Sequence, residues 1–162
     1  VLGDFIPTAL GMEDGEVPLF MAVTTDYTGH MLFFFQNGKC AKVPLASYQT
    51  KQNRRKLLKA YSDKAELAGM LHLTQEQELA IFINAGPVTL RLLLIGSALI
   101  PEKTTRDTAG VNVVSLKKNA RIQRVRPAEG LELADPHRYR VRTLPAAGAI
   151  LKETDTLEQM TL

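Results

Sequence analysis

Two long apolar runs divide the chain, and each is followed by polar, basic sequence. In the first, "MLFFFQNGKCAKVPL", apolar letters flank the Asn-Gly pair at 37–38. That pair favours a two-residue turn, in which both central residues have positive φ. The pattern predicts a β-hairpin over 31–36 and 39–45, with Lys39 and Lys42 on or near its exposed edge.

The second run, "ELAIFINAGPVTLRLL", repeats the pattern about fifty residues later, with a turn at Asn84, Ala85 and Gly86. A basic linker follows each hairpin, and then a further strand candidate, "ELAGMLHL" or "VNVVSLKKNARIQRV". Two copies of one unit at this period are typical of propeller blades, which must stack to bury their apolar faces. The sequence predicts an all-β, propeller-like fold.

The period also divides the chain into predicted segments. We expect one β-domain over residues 1–145, with blade repeats at about 17–74 and 75–126, and a C-terminal tail over 146–162. The tail is rich in small residues and then acidic, a pattern compatible with either a short helix or disorder.

The composition indicates a soluble globular protein: 162 residues with 45% hydrophobic content can bury a core. The longest apolar run, "LRLLLIGSALI", is about half of the roughly 20 residues needed to span a bilayer, and it contains Arg91. The first thirty residues contain no Lys or Arg, so no secretory signal is indicated. We therefore expect no membrane partner and a cytoplasmic protein.

Candidate chemistry is sparse. Cys40 is the only cysteine and lies in an apolar strand candidate, so we expect a buried thiol. The three histidines lack metal-ligand spacing, and no nucleophile, phosphate-loop or dinucleotide motif is present. Glu76 and Glu78 lie in a polar turn, where solvated carboxylates are far commoner than a catalytic pair. We expect no catalytic residue, metal or cofactor in this segment.

The charge is unevenly distributed, although the net charge is only +3. Residues 39–64 contain eight Lys or Arg and a single acid, Asp63, and a second basic run spans 117–126. Such blocks indicate a polyanionic partner. Stretch 49–64, "QTKQNRRKLLKAYSDK", is compatible with an amphipathic helix or a basic loop. Duplex backbone binding is favoured over single-strand stacking, because a strand through 33–35 must turn at least one Phe inward.

Two stretches of the sequence resemble a known family. "VTTDYTGHMLFFFQNGKCAKVPLASYQTKQNRRKLLKAYSDKAELAGMLHL" and "FINAGPVTLRLLLIGSALIPEKTTRDTAGVNVVSLKKNARI" resemble consecutive repeats of the C-terminal domain of the A subunit of bacterial type IIA topoisomerases, gyrase and topoisomerase IV. "KTTRDTAGVNVVSLKK" is similar to the Arg-x-Thr-x-Gly-Val element of each repeat. The closing "YRVRTLPAAGAILKE" resembles the short clostridial-type members.

The resemblance implies a β-pinwheel, a propeller-like disc whose blades exchange strands and whose basic rim bends or wraps duplex DNA. It also implies partners, namely the A-subunit core, which cleaves DNA through a tyrosine, and the B subunit, which hydrolyses ATP. ATP and Mg²⁺ would act on those other parts. The four tyrosines here lack the surroundings of the cleavage tyrosine, so none is assigned that role.

Carried over by position, the resemblance places the segments around 51–59 and 103–106 on the DNA-facing rim. The glycine-rich box of supercoiling gyrases is replaced by "QNRRKLL", and glycine is what allows close backbone approach to phosphate. We therefore expect DNA steering or bending over full wrapping. The alternative is a protein-interaction disc with solvated basic runs. The predicted DNA-binding residues are Lys39, Lys42, Lys51, Arg54, Arg55, Lys56, Lys59, Lys64, Lys103, Arg106, Lys117, Lys118, Arg121 and Arg124.

Overall fold

Eight strands form the structure, a computed structural model that describes residues 26–49, 60–87, 89–153 and 155. Short 3-10 helices follow β2 and β5, at Leu45–Tyr48 and Ser97–Leu99, and a third spans Pro136–Arg138. Within these ranges no helix is long and apolar enough to cross a bilayer. The strands are β1 (His30–Phe35), β2 (Lys39–Pro44), β3 (Leu67–Leu73), β4 (Glu78–Asn84), β5 (Leu90–Gly96), β6 (Val111–Asn112), β7 (Arg121–Pro127) and β8 (Ala149–Ile150).

The strands form two four-stranded antiparallel sheets of the same design. The first sheet has the order β3-β1-β2-β6 and the second β7-β4-β5-β8. The pairing register of the outer strand shifts between Phe34 and Phe35 in the first sheet, and between Phe82 and Ile83 in the second. These are equivalent positions, because His30 pairs with Pro44 as Glu78 pairs with Gly96. The all-β prediction with two repeats is confirmed.

The first hairpin turn differs from the expected two-residue turn. Phe34 pairs with Cys40, and Gly38 N donates to Phe35 O over 3.1 Å, so three residues connect the strands. Gly38 has φ 89°, whereas Asn37 keeps a negative φ. A tight turn followed by one left-handed glycine satisfies the strand twist, so positive φ is needed once and not twice.

Strand exchange joins the two repeats. β6 follows β5 in the chain, yet it pairs with Lys39 and Cys40 of the first sheet. The predicted single strand "VNVVSLKKNARIQRV" is therefore two strands in different sheets, β6 and β7. The chain turns between them, where Ala120 N donates to Lys117 O over 3.0 Å and Asn119 has φ 66°.

The second sheet obtains its fourth strand in the same way. β8 pairs with Arg91 and Leu92, so residues 149–150, assigned above to a tail of helix or disorder, form part of the sheet. Gly110 (φ 82°) and Gly148 (φ 74°) occupy the equivalent position before β6 and β8. A Cβ there would lie 2.3 Å and 2.8 Å from backbone oxygens of β2 and β5, so only glycine fits.

The apolar side chains form three layers around the two sheets. The central layer packs one face of the first sheet, including Leu32 and Phe34, on one face of the second, including Ile81 and Leu93. Two further clusters cover the outer faces. Cys40 lies in the central layer, as predicted, and burial raises the pKa of its thiol despite the charge of Lys42.

Candidate nucleic-acid interface

Lys42 is buried, which corrects its predicted position on an exposed edge. Its strand β2 lies between β1 and β6 in the sheet, and Lys103 N donates a hydrogen bond to the carbonyl oxygen of Lys42 over 2.8 Å. Lys42 is 4% exposed, and its ammonium donates to Glu76 Oε1 over 2.6 Å and to Ser97 O over 3.1 Å. In this position Lys42 holds the two repeats together and cannot reach a duplex.

Glu76 completes this contact between repeats. Its second carboxylate oxygen accepts from the Ser97 hydroxyl, whose oxygen in turn accepts from Gln77 N over 2.9 Å. Partial burial opposes ionisation of Glu76, but the hydrogen bonds from Lys42 and Ser97 and the charge of Lys42 outweigh it and lower the pKa of the carboxyl. The side chain is 48% exposed, as its polar sequence suggested, but it is paired rather than only solvated.

Two further side-chain pairs occupy equivalent positions in the two sheets, a His–Glu hydrogen bond in the first sheet and an Arg–Glu ion pair in the second. His30 Nε2 lies 2.6 Å from Glu102 Oε2 in the first sheet. In the second, Arg140 binds Glu78 through two hydrogen bonds of 2.6 and 3.1 Å. Both pairs join the start of a hairpin to the segment that runs beside its second strand. We call this end of the molecule the ion-paired end, because the Lys42–Glu76 pair also lies there.

The opposite end brings the two hairpin turns together. Val113 N and Val114 N donate to Gly38 O over 2.9 and 3.0 Å, and Ile122 N donates to Gln36 O over 3.3 Å. Arg121 pairs with Asn84 at the end of β4. These contacts gather a set of cations that we call the tip surface: Lys39, Arg91, Lys117, Lys118 and Arg121.

The tip surface is positive and not compensated by neighbouring acids. Segments 36–39, 84–91 and 111–122 contain no Asp or Glu, and one acid that adjoins them is Glu66, whose carbonyl oxygen accepts from Gln36 N. Within the described part of the chain, no cation of the tip surface forms an ion pair. Lys117, Lys118 and Arg121 are also exposed. The described residues thus place ion pairs at one end of the molecule and a set of cations without an ion pair at the other.

Comparison with solved structures identifies the fold. One match is a crystal structure of the C-terminal domain of DNA topoisomerase IV, with a TM-score of 0.74 and 18% identity over 91% of this chain. Another is the DNA gyrase A C-terminal domain, with a TM-score of 0.65 and 15% identity, also over 91% of this chain. The fold is a β-pinwheel. The resemblance seen in the sequence is confirmed at the level of fold.

The chain spans about half of the length of these solved domains, 49% of the first and 52% of the second. No protein-family model matches the sequence, and neither does any curated protein. At such low sequence identity the comparison shows similarity of the backbone fold alone. What this pinwheel binds therefore depends on its own side chains.

Of the two predicted DNA-binding loops, the one that contains Lys103 and Arg106 lies outside the tip surface. Lys103 is exposed beside β2, next to Glu102 of the ion-paired end. Arg106 is close enough to Tyr48 to favour ionisation of its hydroxyl, although burial has the larger effect and raises the pKa of Tyr48. That hydroxyl donates to Ala60 O over 2.6 Å. The loop residues Lys51, Arg54, Arg55, Lys56 and Lys59 lie outside the described residues.

Two other predicted DNA-binding residues, Arg124 and Lys64, differ in their exposure to solvent. Arg124 is half-buried, and its guanidinium lies 4.4 Å from the centre of the Phe82 ring, a contact that uses its charge within the pinwheel. Lys64 is exposed and lies two residues before Glu66, which contacts the first hairpin turn. Lys64 thus adjoins the tip surface, whereas Arg124 belongs to the second sheet's outer layer.

Arg91 belongs to the tip surface but was missed in the sequence, where it only interrupts an apolar run. It occupies the position in β5 that Lys39 occupies in β2, since each lies opposite a residue of the exchanged strand. Aligning the two hairpins on their turns would have placed both cations at equivalent sites. The repeat therefore indicated Arg91 as a candidate, whereas the local hydropathy pattern did not.

Proposed function

We propose that this pinwheel binds duplex DNA without sequence specificity and presents it to a type IIA topoisomerase. The proposal assigns the chain to the A subunit of an ATP-dependent, DNA-cleaving bacterial enzyme in the cytoplasm, whose catalytic parts lie on the A-subunit core and the B subunit. The topoisomerase IV and gyrase A domains that share its fold support this assignment.

The observation that carries the proposal is the uncompensated tip surface. Three exposed cations, Lys117, Lys118 and Arg121, follow one another around a single turn and the start of β7. Cations held together repel each other until counterions or a polyanion neutralise them, and a duplex releases its own condensed cations when it does so. Contacts of this kind bind the backbone and carry no base information.

The proposed action is to steer or bend the duplex. Lys103 lies beside β2 and Arg106 lies near Tyr48, and the proposal includes both as further phosphate contacts toward which the duplex is steered or bent. The loop cations between 51 and 59 belong to the same proposal through their sequence. Full wrapping would require the glycine-rich box, which this sequence lacks.

The test measures binding of a labelled linear duplex of about 40 base pairs across a salt series. If four to six phosphates are neutralised, log K should fall with log salt with a slope of roughly −4 to −5. The double variant Lys118→Ala/Arg121→Ala should weaken binding to all duplex sequences alike and flatten the slope by roughly 2.

Arg142→Ala is the matched control, because Arg142 is an exposed cation two residues from Arg140 of the ion-paired end. It should leave both affinity and slope nearly unchanged. Absence of binding at low salt would overturn the proposal and favour a protein-interaction disc. Loss of binding to one sequence alone would contradict the backbone mode.

A further inference from the structure

A small cavity opens at the tip surface, where the second hairpin, the turn before β7 and the segment before β8 meet. Its volume is about 180 Å³, several times the roughly 30 Å³ that one water molecule occupies in the liquid. A phosphate group can therefore enter it. Ile83, Ala85, Thr89, Arg91, Ser115, Leu116, Lys117, Ala120 and Ala147 line the cavity.

The polar groups of this lining favour an anion. Arg91 and Lys117 contribute positive charge, Thr89 and Ser115 contribute hydroxyls, and no carboxylate belongs to the lining. Arg91 is held in place because its Nη1 donates to Gly148 O over 3.0 Å. A guanidinium has five N–H donors in a fixed fork, so groups remain that can bind a phosphate oxygen.

The remainder of the lining is apolar and small. Ile83 and Leu116 supply aliphatic surface, and three alanines leave room beside them. A fully hydrated inorganic ion gains little from such walls, whereas a phosphodiester brings a sugar that can cover them. The lining thus combines a cationic part for phosphate with an apolar part for its neighbour.

We infer that this cavity is a subsite for one backbone phosphate of DNA together with its adjoining sugar. The inference rests on the proposed function and adds a fixed point to it. Exposed lysines allow a duplex to slide, but a phosphate held between Arg91 and Lys117 sets the register of the duplex on the pinwheel. It also connects the duplex to both repeats, because Lys117 lies in the chain between β6, which pairs in the first sheet, and β7, which pairs in the second.

The first test is a titration of the ¹⁵N-labelled protein with the dinucleotide dTpdT and, separately, with inorganic phosphate. The expected result is a saturable shift of the amides of Thr89, Ser115 and Lys117 with dTpdT at lower concentration than with phosphate. Lys117→Ala should abolish the shifts of the remaining amides. Lys118→Ala, which removes the neighbouring exposed cation outside the cavity lining, should preserve them.

The second test compares the same variants on the 40-base-pair duplex. Lys117→Ala should reduce the affinity about tenfold, against about threefold or less for Lys118→Ala, because a positioned charged hydrogen bond exceeds a diffuse one. Ser115→Ala keeps the charge, so it should weaken dTpdT binding while leaving the salt slope of duplex binding unchanged.

The outcomes separate this inference from the proposed function. Duplex binding with equal losses in the two lysine variants and no shift at the cavity would overturn the subsite and leave the proposed function standing. Shifts at the cavity without duplex binding would support a phosphodiester site and overturn the proposed function. If phosphate and dTpdT bind equally well, the sugar contact is wrong.

Discussion

At the residue scale, Lys42 is where the sequence was most misleading. It was predicted to lie on or near the exposed edge of the first hairpin, but its equivalent in the second repeat is Leu94, a core residue. A lysine is stable at such a position only if its ammonium is paired. Glu76 and Ser97 supply the partners, and both come from the following repeat.

Because of this pairing, substitutions of Lys42 and of Glu76 should change the free energy of unfolding by unequal amounts. Lys42→Met should change the free energy of unfolding by less than about 1 kcal/mol, because Glu76 can turn to water. Glu76→Ala should cost about 1 to 3 kcal/mol, because the buried ammonium loses its carboxylate; the partial exposure of Glu76 keeps this below the cost at a fully buried pair. Urea unfolding at neutral pH measures both, and equal losses would contradict the argument.

The pH dependence of unfolding provides the control. Since the pKa of Glu76 is lower in the folded state than its ordinary value of 4.5, its stabilisation is present above pH 4.5 and is lost as the pH falls through the folded pKa. Lys42→Met removes a main cause of that shift. The loss of stability on acidification should therefore be smaller in Lys42→Met than in the unchanged protein.

At the scale of elements, the exchanged strands depend on one glycine each. β6 and β8 have only two residues, so few ladder hydrogen bonds hold them, and the preceding glycine must bring the backbone against β2 or β5. The sequence predicted the strands of the hairpins well, because their apolar runs are long. It merged β6 with β7 in one strand candidate and did not predict β8, because two residues carry no periodicity of their own.

Gly110→Ala tests this dependence. The new Cβ would lie 2.3 Å from Cys40 O, and φ is 82°, so we expect a loss of about 2 kcal/mol or more in the free energy of unfolding. Gly96→Ala is the matched control, because nothing lies within 4 Å of its Cβ position, and φ is −76°. Thermal or urea unfolding of the two variants should differ clearly, and a Gly110→Ala variant as stable as Gly96→Ala would show that β6 needs no close approach.

At the scale of the whole molecule, strand exchange and the shared central layer make the two sheets one structure. Cys40 of the first sheet and Leu93 of the second pack in the same cluster, and β6 connects the chain of the second repeat to the first sheet. Neither sheet can therefore open without exposing the other's apolar face.

Leu93→Ala tests this coupling through the thiol of Cys40. The substitution should cost about 2 to 5 kcal/mol, and labelling of Cys40 by a thiol reagent, limited by unfolding, should accelerate by the corresponding factor. Leu151→Ala, in the outer layer of the second sheet, should give the same relation between lost stability and labelling rate. Unchanged Cys40 labelling in Leu93→Ala would indicate that the sheets unfold separately.

The sequence by itself determined the all-β class, the two hairpins, their repetition and the burial of Cys40. These follow from local physics, since long apolar runs with turn residues between them form hairpins wherever they are placed. The basic runs were also visible, because charge along the chain needs no fold to be counted.

Only the tertiary structure decided which of those charges are available. It placed Lys42 in the core, Arg124 on Phe82, and Lys117 beside Arg91 at the edge of a cavity. It also divided one predicted strand between two sheets and drew residues 149–150 into the second. These outcomes depend on contacts between residues far apart in the chain, and their free energies have no counterpart in the local pattern of hydrophobic and polar positions.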